Sequence, residues 1–154
     1  SKAMTAEARE KAFDKIMECA LAVGIGVASV VEIDEINILQ ATFLAMRRAM
    51  EKLSIAPVRA FVDGNRAPAF ACPAEAIVDG DAKSMSIAAA SIIAKVSRDR
   101  VMCALDAEHP GYSWAQNKGY GTADHLAALD LLGPTVHHRR SFAPIAQLKL
   151  PFAG

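Results

Sequence analysis

The pattern of apolar and polar positions predicts two helices in the first third of the chain. The first covers residues 5–20, because Thr5 is a suitable N-cap and apolar residues then follow at the spacing of one buried helix face. The residues of that face are Phe13, Ile16, Met17 and Ala20. A second helix is predicted after Asp34, where apolar residues recur at steps of three and four, and it ends before Pro57.

Two further helices are predicted in the second half of the chain. Residues 86–107 are rich in Ala and Ser and form the longer one. A loop over residues 114–121 then leads to Thr122, a second suitable N-cap, and Gly133 ends the helix that follows it.

Three apolar segments between these helices predict β-strands. Residues 21–31 are small, β-branched and interrupted by glycine, which is typical of a strand buried on both faces. Residues 58–62 and 76–78 each stop at an Asp beside a Gly, as parallel strands do when they end in polar turns. Because strands alternate with helices, the pattern predicts a layered α/β fold with parallel pairs.

Composition indicates one domain with a real core, since the chain has 154 residues and is 53% hydrophobic. No apolar segment reaches the roughly 20 residues of a membrane span, and the charged residues 7–11 do not fit a secretory signal. The three cysteines form no Cys-x-x-Cys pair, which favours a reducing, cytoplasmic setting without disulfides or structural zinc. Seventeen basic and seventeen acidic residues cancel, so any nucleic-acid partner must be inferred from local patches.

Asp63 and Asp81 are candidate metal ligands, because each follows a predicted parallel strand and such strands present ligands at their carboxyl ends. Carboxylate oxygens suit Mg²⁺ and Mn²⁺, and ions so held can serve phosphoryl transfer. The alternative is that both acids simply form turns, because Asp bonds its own backbone and the neighbouring glycine supplies a positive φ. Spacing alone favours the turn interpretation.

Two basic clusters could contact phosphates. Lys95, Arg98 and Arg100 lie on the third predicted helix, although a solvated face with a Lys95–Asp99 pair is the simpler interpretation. Residues 137–140, His-His-Arg-Arg, form the second cluster. Adjacent histidines on an extended chain point to opposite sides, so a strand edge is predicted here, facing phosphate or solvent, and not a joint metal site.

Tyr120 stands between Gly119 and Gly121, so its ring is bare on both sides. Such a ring could stack on a sugar or base, or it could anchor the loop, and spacing leaves both interpretations open. Tyr112 and Trp114 are predicted to pack beneath the same loop.

Six motifs, in this order along the chain, together resemble bacterial ribonuclease HII over residues 1–145. They are Ile33-Asp34-Glu35-Ile36-Asn37-Ile38-Leu39, Val62-Asp63-Gly64-Asn65, Gly80-Asp81, Ser91-Ile92-Ile93-Ala94-Lys95-Val96-Ser97-Arg98-Asp99, Lys118-Gly119-Tyr120-Gly121-Thr122 and His138-Arg139-Arg140-Ser141-Phe142. The resemblance implies a ribonuclease H-like α/β fold, a mixed sheet flanked by helices, with the first strands absent from this chain.

The resemblance also implies an endonuclease that hydrolyses the RNA strand of RNA/DNA hybrids and cuts at ribonucleotides embedded in duplex DNA. In that family four carboxylates bind Mg²⁺ or Mn²⁺, which activates water and leaves 5′-phosphate and 3′-hydroxyl ends. Asp63 and Asp81 match two of the four. Tyr120 matches the tyrosine that packs at the ribose, where the 2′-hydroxyl is sensed. Lys2, Lys95 and Arg98 are further candidates for phosphate or site-framing contacts.

One departure from the family pattern concerns the other two carboxylates. The family carries them on an Asp-Glu-x-Gly-Arg-Gly strand, and these 154 residues contain no such sequence. We therefore expect the 154 residues alone to bind metal weakly and not to cleave. The alternative function is an inactive fragment or a non-catalytic nucleic-acid-binding domain that keeps Tyr120 and the basic helix.

The end of the chain, residues 146–154, is predicted to be a tail beyond the domain of residues 1–145. Gln147, Leu148, Leu150 and Phe152 resemble the short peptides with which bacterial repair proteins dock on the sliding clamp. The alternative is a segment that packs back on the domain. A monomer is expected.

Overall fold

The computed structural model describes residues 4–147. The helices are α1 (Ala6–Cys19), α2 (Val30–Glu51), α3 (Gly80–Lys83), α4 (Met85–Glu108), α5 (Trp114–Asn117), α6 (Ala123–Leu132) and α7 (Ala143–Ala146), and the strands are β1 (Ala60–Asp63) and β2 (Ala74–Ile77). Within the described residues the chain divides into two compact units. Unit 1 contains residues 4–28 and 39–97, and unit 2 contains residues 29–38 and 98–147.

The first predicted helix is confirmed, but its predicted burial is wrong. α1 begins after Thr5, whose side-chain hydroxyl accepts a hydrogen bond from the Ala8 amide at 3.2 Å. None of its residues is buried, and Met17 is 47% exposed. Apolar spacing predicts which side chains share a helix face, whereas burial depends on a neighbour that covers this face.

The predicted strand over residues 21–31 is wrong. A strand needs a hydrogen-bonded ladder with a neighbour, and no strand of the described chain pairs with this segment. Side chains of α2 meet its carbonyl groups instead: Arg48 donates to the Val27 oxygen at 2.8 Å, and Lys52 donates to the Ile25 oxygen at 2.9 Å. These contacts are spaced two residues apart along the segment.

Glycine permits the close approach of this segment to α2. A β-carbon at Gly24 would lie 2.0 Å from the carbonyl oxygen of Ala49, and one at Gly26 would lie 1.9 Å from that of Ala45. Any side chain at either position would therefore force the segment away from the helix. The glycines that suggested a buried strand act as helix-packing positions.

α2 begins at Val30, earlier than the sequence predicts, and it is broken at Asn37. The break has φ 65° and ψ 165° at Asn37, a non-helical conformation in which asparagine is more tolerant than most residues. The apolar periodicity continues through Asn37 and does not reveal the break. Such spacing indicates which side chains share a face, but it does not indicate whether the backbone is continuous.

The predicted parallel strands are confirmed as a pair. β1 and β2 align with Ala60 opposite Ala74 and Asp63 opposite Ile77. The third predicted helix is also confirmed as α4, and the short α3 precedes it. The observed elements therefore form an α/β structure, as predicted.

Unit 2 has an aromatic core. Tyr112 and Trp114 stack with ring centroids 5.1 Å apart, and the Tyr112 hydroxyl donates to the carbonyl oxygen of Gly133 at 2.5 Å. The other residues of this cluster are Met102, Ala128, Leu129 and Ile145. Both aromatic residues are buried, and the cluster joins α4 to α6.

Two local predictions in unit 2 need correction, and one is confirmed. Residues 114–117 form the helical turn α5, where a loop was predicted. Residues 136–138 form a turn and not a strand edge, and His138 is only 8% exposed. Thr122 is confirmed as the N-cap of α6, since its hydroxyl accepts from the His125 amide at 3.3 Å. Among residues 4–147, no helix combines the length and apolarity that crossing a membrane requires.

Candidate functional site

Asp63 is the last residue of β1 and lies exposed at the carboxyl end of the strand pair. Its Oδ1 accepts a hydrogen bond from the amide of Gly80 at 2.8 Å. That amide belongs to the residue directly before Asp81, in the first turn of α3. The backbone therefore brings the neighbourhoods of the two predicted acids together, although 17 residues separate Asp63 from Gly80 in the chain.

The close approach at this point depends on Gly80, which is buried. A β-carbon there would lie 2.6 Å from Cδ1 of Ile87 and 3.3 Å from Oδ1 of Asp63. The preceding residue, Asp79, is in the left-handed region with φ 55° and ψ 40°. This conformation turns the chain from β2 into α3, and both Asp79 and Asp81 follow the strand within four residues.

This arrangement fits a hard cation. Asp63 is exposed and accepts from the Gly80 amide with one carboxylate oxygen, and Asp81, the half-buried residue directly after Gly80, supplies a second carboxylate. Mg²⁺ and Mn²⁺ bind through one or two carboxylates while retaining several waters. Two acids alone thus satisfy only part of such an ion's coordination.

The predicted basic residues lie on α4. Lys95 is half-buried and belongs to unit 1, whereas Arg98 is exposed and belongs to unit 2. Lys2 lies outside the described residues.

Tyr120 is the most exposed aromatic side chain of unit 2, at 68%. Its loop turns through Lys118 and Gly119, which have φ values of 52° and 80°. A β-carbon at Gly119 would lie 3.2 Å from Nη2 of Arg98. Arg98 and the tyrosine loop, residues 118–121, therefore form one basic and aromatic surface within unit 2.

The buried side chain of Asn117 contacts the backbone of the tyrosine loop. It donates to the carbonyl oxygen of Tyr112 at 2.7 Å and accepts from the amide of Gly119 at 2.8 Å. The same Oδ1 lies 3.4 Å from Nδ1 of His125. One amide side chain thus joins the loop to the aromatic core and to a buried histidine.

Two buried histidines continue this network. The Thr135 amide donates to Nδ1 of His138 at 2.9 Å, so the proton of the neutral ring lies on Nε2. That nitrogen faces Nε2 of His125 at 3.2 Å. His125 therefore accepts there and carries its proton on Nδ1, toward Asn117. This inferred tautomer order satisfies every contact in the chain from Thr135 to Asn117.

The network requires neutral histidines. Burial, together with the smaller effect of the nearby charge of His125 and His137, lowers the pKa of His138 to about 4. Burial also lowers the pKa of His125. A second proton on His138 would place a donor at Nδ1, against the amide of Thr135 that already donates there.

Asp34 forms a second link in unit 2 that the sequence analysis did not assign. Its carboxylate accepts from the amides of Arg140 and Ser141 at 2.8 and 3.0 Å, and from the Ser141 hydroxyl at 2.5 Å. The Ser141 hydroxyl contributes most to a lowered pKa for Asp34, and desolvation opposes it. Asp34 and Ser141 stand in two of the six motifs that resemble the family. Their spacing in the sequence did not indicate that they are in contact.

Comparisons with known proteins give the same assignment for nearly the whole chain. The ribonuclease HII family model matches residues 1–145. A ribonuclease HII of Rhizorhabdus wittichii is 56% identical over 150 residues, which cover 97% of this chain and 74% of that protein. A ribonuclease HII of Acidovorax sp. strain JS42 is 57% identical over 155 positions, covering all of this chain and 74% of its own.

The fold agrees with a solved structure. The crystal structure of the ribonuclease H2 from Pyrococcus horikoshii OT3 superimposes with a TM-score of 0.73 at 25% identity, covering 95% of this chain and 77% of that one. The predicted ribonuclease H-like α/β fold and the predicted family resemblance are both confirmed. The chain belongs to the ribonuclease HII family.

Proposed function

We propose that Asp63 and Asp81 hold a divalent cation, Mg²⁺ or Mn²⁺, for the hydrolysis of RNA in RNA/DNA hybrids and at ribonucleotides embedded in duplex DNA. The observation that carries this proposal is the hydrogen bond from the Gly80 amide to Asp63, which fixes one acid beside the residue preceding the other. When bound, the cation would activate water and stabilise charge on the scissile phosphate. The products would be 5′-phosphate and 3′-hydroxyl ends.

Each acid has a distinct part in holding the cation. Asp63 is oriented by the Gly80 amide, so one carboxylate oxygen is fixed and the other is directed by that contact. Asp81 is set by the turn from β2 into α3, where the left-handed Asp79 reverses the chain. Lys95, on α4 of the same unit, is proposed to frame the site or contact phosphate, and Lys2 is proposed for the same role.

Tyr120 and Arg98 are proposed to form the nucleic-acid contact of unit 2. The exposed ring would pack at the ribose of the RNA-to-DNA junction, and the guanidinium beside Gly119 would meet phosphate. Tyr120→Ala should lower the preference for a ribonucleotide-containing duplex over an all-DNA duplex by about tenfold. Tyr120→Phe keeps the ring and should retain most of that preference. Equal preference in the original chain and Tyr120→Ala would refute the role.

We also propose that these 154 residues supply half of the metal ligands. They contain no Asp-Glu-x-Gly-Arg-Gly sequence, and Asp63 with Asp81 leaves coordination positions that further carboxylates would fill. The 154 residues alone should therefore bind the cation weakly and leave the substrate uncut. Unit 2 would still bind the duplex through Tyr120 and Arg98.

A cleavage assay on a duplex with one ribonucleotide tests these statements together. The 154-residue chain is compared with the extended chain, meaning the same chain preceded by a segment that carries Asp-Glu-x-Gly-Arg-Gly, each with Mg²⁺, Mn²⁺ or EDTA. We expect cutting by the extended chain only, and only with a cation. Cation-dependent cutting by the 154 residues alone would overturn the half-site proposal. Duplex binding by an extended chain that never cuts would favour the non-catalytic alternative.

The end of the chain is proposed to dock on the sliding clamp. Gln147 is exposed at the end of α7, and Leu148, Leu150 and Phe152 lie outside the described residues, so the division at residue 145 stays a prediction. A pull-down with the clamp should lose binding in Leu148→Ala/Phe152→Ala and retain it in Lys149→Ala. Binding that is absent in the original chain, or unchanged in the double variant, would refute this proposal.

A further inference from the structure

Three side chains of metal-ligand type converge in unit 2, at a place that the proposed nuclease function does not use. Glu108 and His109 lie at and just after the end of α4, and His137 lies on the turn that leads to His138. One ligand atom from each of the three lies within 4.8 Å of the other two. The two imidazole rings stand edge to face, with centroids 5.1 Å apart.

The imidazole nitrogens of this cluster are available. In the described part of the chain, the hydrogen bonds of His109 and His137 are made by their backbone amides, to Leu105 and Thr135, and not by their rings. Glu108 and His137 are exposed and His109 is half-buried. A cation could therefore reach the three groups from solvent, with no hydrogen bond to a ring to be broken first.

The cluster contains only one of the two adjacent histidines, His137 and His138. His138 turns inward to His125, whereas His137 turns to His109 and Glu108. The turn over residues 136–138 directs the two rings to different partners, although the chain is not extended there as the sequence predicted. The groups that join His137 are Glu108 and His109, at and just after the end of α4 and distant from His137 in the sequence.

We propose that Glu108, His109 and His137 bind a transition-metal dication of the Zn²⁺ class, separately from any Mg²⁺ or Mn²⁺ held by Asp63 and Asp81. Imidazole nitrogen suits Zn²⁺, Ni²⁺ and Cu²⁺, whereas Mg²⁺ prefers oxygen alone. Two histidines and one carboxylate, with water in the fourth position, are a known zinc ligand set. Donor atoms of a tetrahedral zinc site lie about 3.3 Å apart, so small side-chain rotations would close the observed spacing.

The bound ion would join two separate segments of unit 2. It would tie the end of α4 to the turn that places His138 against His125. An ion that binds the folded state and not the unfolded chain stabilises the fold by mass action. Zn²⁺ should accordingly raise the temperature midpoint of unfolding.

Trp114 provides a direct readout, because it is the only tryptophan of the chain. Its ring is buried, and its centroid lies 5.9 Å from that of His109 and 6.3 Å from that of His137. The experiment titrates the metal-free chain with Ni²⁺ in excess Mg²⁺ and records Trp114 fluorescence. We expect saturable quenching by the open-shell ion, reversed by the closed-shell Zn²⁺ through competition.

Variants separate this site from unspecific binding. His137→Ala should weaken Ni²⁺ binding about tenfold or more, and Glu108→Gln should weaken it less, since both histidines remain. Val136→Ala and Asp130→Asn are the matched controls for the turn and for the lost charge, and they should bind as the original chain does. Circular dichroism confirms that each variant is folded.

Three results would overturn the proposal. The first is quenching that does not saturate or that His137→Ala leaves unchanged, because the ion would then lie elsewhere. The second is quenching that is present without Mg²⁺ but absent in excess Mg²⁺, because the site would then not select for nitrogen-binding metals. The third is quenching that appears only when light scattering shows association of chains, because the ligands would then come from different molecules. None of these readouts depends on cleavage, so failure of the proposed nuclease function would leave this test intact.

Discussion

Asp63, at the end of β1, and the tyrosine loop, residues 118–121, are held in place in different ways. In unit 1, Asp63 is held by one backbone amide, and a buried glycine allows the approach. In unit 2, the tyrosine loop rests on the side chain of Asn117, which contacts Gly119, the aromatic core and a buried histidine. The first support is made by the backbone, and the second is made by buried polar side chains.

This difference predicts different sensitivities. A change at Asp63 that keeps its shape leaves the backbone support in place and alters only the charge that a cation would meet. A change at Asn117 leaves several buried partners unsatisfied, which costs stability and releases the loop. A change at Asp63 should therefore reduce cleavage and leave duplex binding intact, whereas a change at Asn117 should reduce duplex binding.

The largest expected effect is the loss of cleavage in Asp63→Asn. The amide oxygen can still accept from Gly80, but the charge of the metal ligand is removed, so the cleavage rate of the extended chain should fall at least about a hundredfold. Duplex binding should stay within about twofold. The measurement is single-turnover cleavage beside a binding titration.

Asp79→Asn is the matched control for this change. It removes the same charge from a neighbouring exposed position, and asparagine tolerates the left-handed conformation that Asp79 adopts. Cleavage should be close to that of the original chain. Equal losses in the two variants, or equal loss of binding and cleavage in Asp63→Asn, would contradict a specific role for Asp63.

Asn117→Ala should give the next largest effect, in the other region. It removes the contacts to Tyr112, Gly119 and His125, so the free energy of unfolding should fall by about 1–3 kcal/mol. Duplex binding should weaken as well, because the tyrosine loop loses its support. Denaturant unfolding and a binding titration measure the two effects, and Gln116→Ala, an exposed change on the same helical turn, is the control. A destabilised variant that binds normally would show that Tyr120 does not depend on Asn117.

A pH effect should follow from the buried histidine pair. The folded pKa of His138 is about 4, below the 6.5 of the ordinary group, so the unfolded chain binds more protons between these values. Stability should therefore be fully present above pH 6.5 and fall toward pH 4, by at most about 1.4 kcal/mol per pH unit. Thermal unfolding in EDTA at several pH values measures it, with metal binding excluded.

His138→Gln tests the source of that effect. Glutamine keeps a donor and an acceptor but does not titrate, so the variant should be less stable at pH 7.5 and show a flatter dependence between pH 6.5 and 4. A slope as steep as that of the original chain would assign the effect to other groups.

The smallest effect is expected from Asp34→Asn. The weaker amide acceptor replaces a carboxylate that binds Arg140 and Ser141, and the midpoint of thermal unfolding should fall by about 2–4 °C at pH 7. Because the folded pKa of Asp34 is lowered, its contribution is present above the unfolded value and is lost as the pH falls through the folded one. The difference from the original chain should thus shrink at low pH, whereas Asp130→Asn should show little change at either pH.

Local sequence determined much of this protein. Thr5 and Thr122 begin their helices as predicted, because an N-cap hydroxyl acts on amides only three residues away. The parallel pair β1 and β2 follows from two short apolar runs and their polar ends, and the long helix α4 follows from a segment rich in Ala and Ser. The order of motifs was sufficient to identify the family, since six short patterns in sequence are highly specific.

Tertiary structure decided what depends on distant partners. Residues 21–29 have strand composition, but a strand exists only with a ladder, and the glycines pack on α2 instead. The links from Asp34 to Ser141 and from His137 to His109 join segments that local spacing cannot relate. Side-chain type determines what a residue can bind, whereas the path of the backbone determines which partners it meets.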